Sequence, residues 1–193
     1  LENFVGIHNR KYCDGGQCIR LYRTFMKKKD PEAANIVMGH NEEDLLGLGT
    51  IFSLLAYKKL YDGEYHPKQC VILEQELKIV IELSAAAPVN VSCGNSDFYL
   101  SVNGYEARML VHLKEGKLRQ YYRNYKDYEF IPGEDTAMPK SITRYMDKSL
   151  KIATTPQTCY TWFNCDEDFL NNEKKQMQYL THTLPFFLDN LNK

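Results

Sequence analysis

Residues 70–83, CVILEQELKIVIEL, decide the fold that the sequence predicts. Apolar and charged side chains alternate through most of this stretch, which is the period of a β-strand with one buried and one wet face. The alternating apolar positions are Val71, Leu73, Leu77, Ile79, Ile81 and Leu83. We therefore predict one long, half-buried strand over Cys70–Leu83.

The residues that follow predict an antiparallel sheet. Phe98–Val102 and Tyr105–Leu113 have strand patterns and flank Asn103-Gly104, the strongest short signal for a two-residue hairpin turn. A further turn leads into a strand over Leu118–Tyr122. Because strands joined by tight turns run antiparallel, the pattern favours a meander sheet or barrel.

Two helices complete a predicted α+β fold. Asn41 has the features of an N-cap, since acids and then leucines follow it, and predicts a short helix that gives way to a strand over Ile51–Tyr61. Near the C-terminus, Asp166 or Asn164 caps a helix that Pro185 kinks or restarts. Its apolar side chains recur at helical spacing: Phe169, Leu170, Met177, Leu180, Leu184, Phe187, Leu188 and Leu191. We expect this helix to cover the apolar face of the sheet.

The chain of 193 residues is predicted to be one domain, 1–193, in which residues 1–40 form an N-terminal hairpin extension. Glu2–Tyr12 and Cys18–Met26 have the patterns of strands, and Asp14–Gly16 has that of a turn. The segment Tyr125–Lys148, rich in tyrosine, proline and charge, is predicted only as irregular structure or an edge strand.

The cysteines predict an extracellular, disulfide-bonded protein. Six cysteines are an even number and occur as three pairs of near neighbours. These pairs are Cys13 with Cys18, Cys70 with Cys93, and Cys159 with Cys165. A long-range bridge between the Cys70 region and the C-terminal pair is an open alternative that would constrain the unfolded chain more strongly. The N-glycosylation sequon Asn90-Val91-Ser92 agrees with secretion.

Charge and hydropathy exclude several classes of partner. The formal net charge is -1, which gives no overall attraction for nucleic acid or an anionic membrane. No apolar stretch is long enough to span a membrane, and the sequence begins with no charged-then-apolar leader. We therefore expect a secreted protein, whose leader was removed or never existed, without a membrane span.

No motif of catalysis, metal binding or cofactor binding is present in the sequence. Nucleotide-binding glycine loops, serine-hydrolase motifs and short zinc spacings are missing, so we predict no catalytic residue, no metal, no cofactor and no enzyme. His40, followed by Glu42, Glu43 and Asp44, is the best cluster of titratable groups. We interpret it as a solvated histidine beside a helix N-terminus.

Part of the chain resembles the secreted lipocalins of tick saliva. The resemblance begins with EDLL at residues 43–46, IFSLLAYKKLYD at 51–62 and KQCVI at 68–72, and continues in the Cys-x-x-Trp run at 159–162. It covers residue 41 to the C-terminus, whereas the first 40 residues depart from that pattern. The resemblance implies an eight-stranded barrel that sequesters a small amphipathic or hydrophobic ligand. The candidate lining residues are Tyr57, Phe98, Tyr99, Tyr105 and Trp162.

A second hypothesis is a secreted protein-binding module, such as an immune modulator or receptor ligand. An aromatic and arginine-containing run can form a binding hot spot. Its candidate residues are Tyr121, Tyr122, Arg123 and Tyr125. A closed cavity would favour the carrier, and an exposed aromatic patch would favour the binding module. A cleft with perturbed titratable groups would favour a third hypothesis, an enzyme whose residues converge from distant segments.

Overall fold

The computed structural model of the protein describes residues 1–8, 11–12 and 14–191. The helices are α1 (Gly15–Lys28), α2 (Pro31–Phe52), α3 (Leu55–Asp62), α4 (Lys140–Thr143), α5 (Glu167–Leu170) and α6 (Glu173–Asp189). The strands are β1 (Tyr65–Leu73), β2 (Glu76–Gly94), β3 (Phe98–His112), β4 (Lys117–Tyr121), β5 (Tyr128–Ile131), β6 (Thr136–Pro139), β7 (Ile152–Ala153) and β8 (Tyr160–Asn164). Short 3-10 helices cover Glu2–Val5, Tyr125–Asp127 and Lys148–Leu150. The predicted α+β class is confirmed.

The strands pair antiparallel throughout the described residues and form three sheets. The largest is the predicted meander, in the order β1-β2-β3. The others are the pair β4-β8 and the sheet β6-β5-β7. Within the described part of the chain these sheets remain separate, so the alternative of a closed barrel is not realised.

The core lies where α6 packs against the strands. Leu77, Ile79 and Ile81 of β2 are fully buried, as expected from the alternation of apolar side chains. Leu180 and Leu184 of α6 are equally buried. The prediction of a C-terminal helix that covers the sheet is therefore confirmed.

The C-terminal helix begins later than its first predicted cap. Asp166 caps the short α5, where its side chain accepts a hydrogen bond from the N–H of Phe169. Asn172 then caps α6. Pro185 lies inside α6, which continues past it to Asp189.

The predicted N-terminal hairpin is wrong: Cys18–Met26 lies within α1, and the described residues of Glu2–Tyr12 contain the 3-10 helix Glu2–Val5 and no strand. Asp14 is not a turn residue but the N-cap of α1, and its carboxylate accepts a hydrogen bond from the N–H of Gln17. Asp30 caps α2 in the same way, and Pro31 occupies the first turn, where its missing N–H costs nothing. These caps stabilise the helix ends, and the packing of α1 on α2 decides between helix and strand.

Two further predicted elements are replaced by helix. The predicted short helix at Asn41 is the middle of α2, which begins ten residues earlier at Pro31. The predicted strand over Ile51–Tyr61 is the end of α2 and most of α3. Helix α2 continues through Gly47 and Gly49, although glycine is unfavourable in a helix interior.

The hairpin turns of the large sheet also differ from the prediction. The predicted strand 70–83 is split by a turn, where Glu74 has a φ of 56° and Leu73 pairs with Glu76. Conversely, Asn103-Gly104 makes no turn, because β3 runs through it. Gly104 has a φ of 55° and pairs with Ala87 at a shift in register, which is the signature of a bulge.

The α1–α2 pair forms a helical hairpin that buries little of its own surface. Within Gly15–Lys28, all of which is described, no side chain of α1 is fully buried. Local contacts hold the hairpin: the Glu43 carboxylate accepts hydrogen bonds from the backbone N–H groups of Lys11 and Tyr12, at 2.8 and 3.2 Å. Among the described residues, no helix is long and apolar enough to cross a membrane.

Candidate functional site

The best-formed site lies on one face of the β4-β8 pair. In this pair Arg119 is directly opposite Trp162, and Tyr121 is opposite Tyr160. Because side chains alternate between the two faces of a strand, these four residues project from the same face. The pairing thus brings together residues that are about forty positions apart in the sequence.

The Arg119 side chain occupies the centre of this face. Its guanidinium carbon lies 4.6 Å from the ring centroids of both Tyr160 and Trp162, within the range of a cation–π interaction. Its Nε atom is buried and has no hydrogen-bond partner among the described residues. A buried donor of this kind is costly unless a partner satisfies it, so a ligand with an acceptor group would be favoured here.

Asp135 anchors the two aromatic rings from the turn between β5 and β6. The indole Nε1 of Trp162 donates to the Asp135 carbonyl oxygen at 2.9 Å and to its Oδ2 at 3.2 Å. The Tyr160 hydroxyl donates to Asp135 Oδ1. Asp135 itself has a φ of 49°, in the left-handed region that aspartate tolerates better than most residues. The N–H edge of the Trp162 indole is therefore held in place by Asp135.

Two cavities adjoin Trp162. The first, the tryptophan cleft, has a volume of about 410 Å³ and is lined by Lys114, Glu115, Lys117, Glu134, Asp135, Thr136 and Trp162. The second, the arginine cavity, has about 290 Å³ and is lined by Asp97, Val111, His112, Lys114, Arg119, Tyr121, Trp162 and Phe187. Lys114 and Trp162 line both cavities, so the indole and the ammonium group separate them.

Charge is distributed unevenly around the indole. The ammonium group of Lys114 lies 5.5 Å from the Trp162 ring centroid. The tryptophan cleft combines the carboxylates of Glu115, Glu134 and Asp135 with the ammonium groups of Lys114 and Lys117. The arginine cavity combines Lys114 and Arg119 with the carboxylate of Asp97. Both cavities therefore carry charges of both signs, with an excess of acids in the tryptophan cleft and of cations in the arginine cavity.

The tyrosines of the site keep their protons over the physiological range. Burial, followed by the hydrogen bond to Asp135, raises the pKa of Tyr160 to about 12. Burial also raises the pKa of Tyr121, although its hydrogen bond with Arg119 acts in the opposite direction. Both hydroxyl groups can therefore donate hydrogen bonds at neutral pH.

The structure does not bring the five predicted lining residues together. Of these, only Trp162 lines either cavity at the site. Phe98 is buried and stacks on Phe187 with a centroid distance of 4.2 Å. Tyr57 of α3 donates a hydrogen bond to the Val89 carbonyl. The remaining two, Tyr99 and Tyr105, are exposed on β3.

The predicted tyrosine and arginine hot spot is divided between core and surface. Tyr121 is buried and stacks on Phe186 at 3.7 Å. Tyr122 and Tyr125 are half-buried. Arg123 is exposed and lies over the Tyr61 ring at 4.9 Å. The run is therefore not one continuous exposed patch, because its first tyrosine belongs to the core.

The structure does not contain the predicted local cysteine pairs that can be checked. Cys70, Cys93, Cys159 and Cys165 are thiols. In β2, roughly 40 Å of strand separates the position opposite Cys70 from Cys93. The extended β8 separates Cys159 from Cys165 by roughly 20 Å. A disulfide bridge needs Cα atoms within about 7 Å of each other. The remaining predicted pair includes Cys13, which lies outside the described residues.

Burial suppresses the reactivity of these thiols. It raises the pKa of Cys70 to about 12 and those of Cys159 and Cys165 to about 11. The negative charge of a Cys165 thiolate would raise the pKa of Cys70 further, so these two side chains are close enough to interact. Since Cys70, Cys93, Cys159 and Cys165 are thiols, the structure does not contain the long-range bridge between the Cys70 region and the C-terminal pair either.

Two other sequence-based interpretations can be compared with the structure. Asn90 of the sequon is exposed, but it lies in β2 rather than in a loop, and its glycosylation stays a prediction. His40 is not a solvated residue at a helix N-terminus: it is buried in the middle of α2, with Nε2 at 3.5 Å from Asp44 Oδ2. No group of three or more His, Cys, Asp and Glu side chains among the described residues could hold a metal ion.

Sequence reasoning missed most of the site. Lys114, Arg119 and Asp135 were not singled out, because each belongs to a segment without a recognised motif. One signal was available: Arg119 and Tyr121 alternate along the predicted strand Leu118–Tyr122, which places them on one face. The partner strand and the turn that carries Asp135 could not be paired with them from sequence.

Comparison with protein families gives one match, to the RNase_H superfamily over residues 1–56. The match covers less than half of the chain and includes α1, all of α2 and the first two residues of α3. This match contradicts the predictions of a non-enzymatic binding protein and of no enzyme. Secretion stays a prediction. No curated protein and no solved structure matches the chain.

Proposed function

We propose that this chain binds single-stranded nucleic acid, with Trp162 as a stacking surface for a base. The observation that carries the proposal is the half-buried indole, held by Asp135 and surrounded by the cations of Lys114, Lys117 and Arg119. Aromatic rings next to cations are the usual means of binding single strands without strong sequence preference.

Hydrogen bonds to Asp135 already fix the orientation of the indole. A base that stacks on the ring therefore costs the Trp162 side chain no further conformational entropy. Stacking of one base on an aromatic side chain contributes about 1–3 kcal/mol. The cleft of about 410 Å³ beside Trp162 provides a volume in which a base can lie. Lys114 is exposed and has a long side chain, so its ammonium group can reach a phosphate instead of the ring.

The phosphates would follow the basic side of the indole. Arg119 offers a buried donor without a partner among the described residues, and Lys114 adds a charge in the same cavity. The carboxylates of Glu115 and Glu134 would repel phosphate from the opposite side. The whole-chain charge of -1 argued against a nucleic-acid partner, but this local arrangement of cations is a separate property.

The family match supports the same class of ligand from a different part of the chain. It lies within residues 1–56, whereas the cavity-lining residues lie between Asp97 and Phe187. The two observations are thus independent of each other. The proposal concerns binding, and a nuclease activity is tested alongside it.

The fluorescence of Trp162 can be used to measure binding, since it is the only tryptophan of the chain. Titration with a 12-residue oligothymidylate should quench its fluorescence in low salt, and the affinity should fall as salt is raised. The double variant Lys114→Gln/Lys117→Gln should bind at least tenfold more weakly, because it removes two positive charges next to the proposed position of the strand. The variant Lys148→Gln/Lys174→Gln is the matched control, since it removes equal charge elsewhere on the surface.

Three results would overturn the proposal. These are the absence of quenching in low salt, equal losses in the two double variants, and unchanged affinity of Trp162→Leu for a fluorescein-labelled oligonucleotide measured by anisotropy. Incubation of the same labelled strand with Mg²⁺ or Mn²⁺, followed by gel electrophoresis, tests for hydrolysis. Cleavage lost together with binding in Lys114→Gln/Lys117→Gln would extend the proposal to a nuclease.

A further inference from the structure

Helix α1 presents a basic stripe to solvent. Arg20, Arg23 and Lys27 are exposed and are spaced three and four residues apart, which places them on one helical face. Lys28 and Lys29 add two further exposed cations at its C-terminal end. The sequence of α1 contains no acid, and none of these five cations forms an ion pair with an acid among the described residues.

An apolar stripe lies beside the basic one. Ile19, Tyr22 and Met26 have the same spacing, three and four residues apart, and are 56%, 51% and 50% exposed. The half-buried Leu21 and Phe25 lie where α1 packs on α2. The helix therefore has a packed face and, separately, an exposed surface that combines apolar and basic side chains.

We infer that α1 is a docking surface for an anionic lipid bilayer, on which the helix lies in the plane of the interface. The basic stripe complements the lipid headgroups, and Ile19, Tyr22 and Met26 enter the boundary with the acyl chains. A tyrosine suits this depth, since its ring is apolar and its hydroxyl remains hydrated. This surface is independent of the proposed nucleic-acid site at Trp162.

The charges and the apolar stripe together favour lipid over other partners. A nucleic acid would use the cations but leave Ile19 and Met26 in water. A second copy of this helix would cover the apolar stripe, but it would bring a second set of five cations against the first. A surface with negative charge outside and hydrocarbon beneath satisfies both stripes.

Co-sedimentation of the full chain with vesicles tests the inference. Vesicles of phosphatidylcholine with 30 mol% phosphatidylserine should bind the protein, and vesicles of phosphatidylcholine alone should bind it far less. The variant Arg20→Gln/Arg23→Gln/Lys27→Gln should lose about a hundredfold in affinity, given the usual contribution of each basic residue near an anionic surface. The variant Arg144→Gln/Lys148→Gln/Lys174→Gln removes the same charge elsewhere and should lose less than threefold.

The apolar stripe has its own test. Ile19→Ser/Met26→Ser should weaken binding to the anionic vesicles while the protein keeps its helical circular dichroism. Equal binding to both vesicle types, or equal losses in the two triple variants, would overturn the inference. So would a stable dimer in analytical ultracentrifugation that Ile19→Ser/Met26→Ser dissociates, or oligonucleotide binding that depends on Arg20, Arg23 and Lys27.

Discussion

The helical hairpin of α1 and α2 and the core of sheet and α6 differ in what holds them together. In the core, Ile79, Met109 and Leu180 are fully buried. In the hairpin, Met38 and Leu45 are each 70% exposed, and the fully buried residues of α2 are limited to Ala33, Gly39 and His40. The core is stabilised by apolar burial, whereas the hairpin depends on caps and a few local contacts. The apolar side chains that the hairpin leaves exposed are therefore available to contact a partner.

The largest effect is expected from a cavity in the core. Ile79→Ala removes a fully buried side chain and should lower the free energy of unfolding by about 3 kcal/mol. Leu45→Ala, at a position 70% exposed, should change it by less than about 0.5 kcal/mol. Urea unfolding followed by circular dichroism measures both. Similar losses in the two variants would mean that the hairpin is as tightly packed as the core.

Removal of the Asp135 anchor should have the next largest effect. Asp135→Ala leaves the hydroxyl of Tyr160 and the indole N–H of Trp162 without their side-chain acceptor, which should cost about 2 kcal/mol. Asp135→Asn keeps an acceptor oxygen and should cost less than half as much. Urea unfolding followed by tryptophan fluorescence gives both values. An equal loss in the two variants would show that the charge, rather than the acceptor, matters.

Two glycines of α2 provide a sharper test of the hairpin. Gly49→Ala meets no atom within 4 Å and should stabilise the helix by about 1 kcal/mol. Gly39→Ala would place its Cβ 2.3 Å from the Tyr12 ring, which must move, so this gain should be lost. Amide hydrogen exchange in α2 measures the difference. Equal protection in both variants would contradict the packing of Tyr12 on this helix.

The smallest effect concerns the pH dependence of the core region. Burial, aided by the charge of Arg123, lowers the pKa of His182 in the folded protein. The unfolded chain, with an ordinary histidine pKa of about 6.5, then binds a proton more readily than the folded one. Stability should therefore decline as pH falls through about 6.5 towards the folded pKa. His182→Gln should reduce this decline between pH 8 and pH 5.5, measured by urea unfolding, and an unchanged slope would contradict it.

The parts of the fold that were predicted correctly depend on local pattern. The alternation through Ile79 and Ile81 identified the buried face of a strand, and the acidic start at Asp166 identified a cap. The errors arose where two local signals competed. Asp14-Gly15-Gly16 fits a hairpin turn and also the capped start of a helix, and only the packing of α1 on α2 distinguishes them.

Two residues of the candidate site were named from the sequence: Trp162 as a ligand-lining residue and Tyr121 as part of the protein-binding run. Trp162 attracts attention in any sequence because a large amphipathic ring commonly lines a pocket. Arg119 and Asp135 are ordinary surface residue types, and their roles depend on the pairing of β4 with β8 and on the turn that reaches Trp162. Contacts between residues so far apart in sequence leave no periodic signal.

The sequence by itself determined that this is an α+β protein with an antiparallel meander and a C-terminal helix that covers the sheet. These features follow from side-chain periodicity and capping, which act over a few residues. Tertiary structure alone decided that the N-terminal segment is helical, that Asn103-Gly104 is a bulge rather than a turn, and that Arg119 lies between Tyr160 and Trp162. The reason is that strand register and helix packing fix which distant side chains meet, and local propensity does not encode that choice.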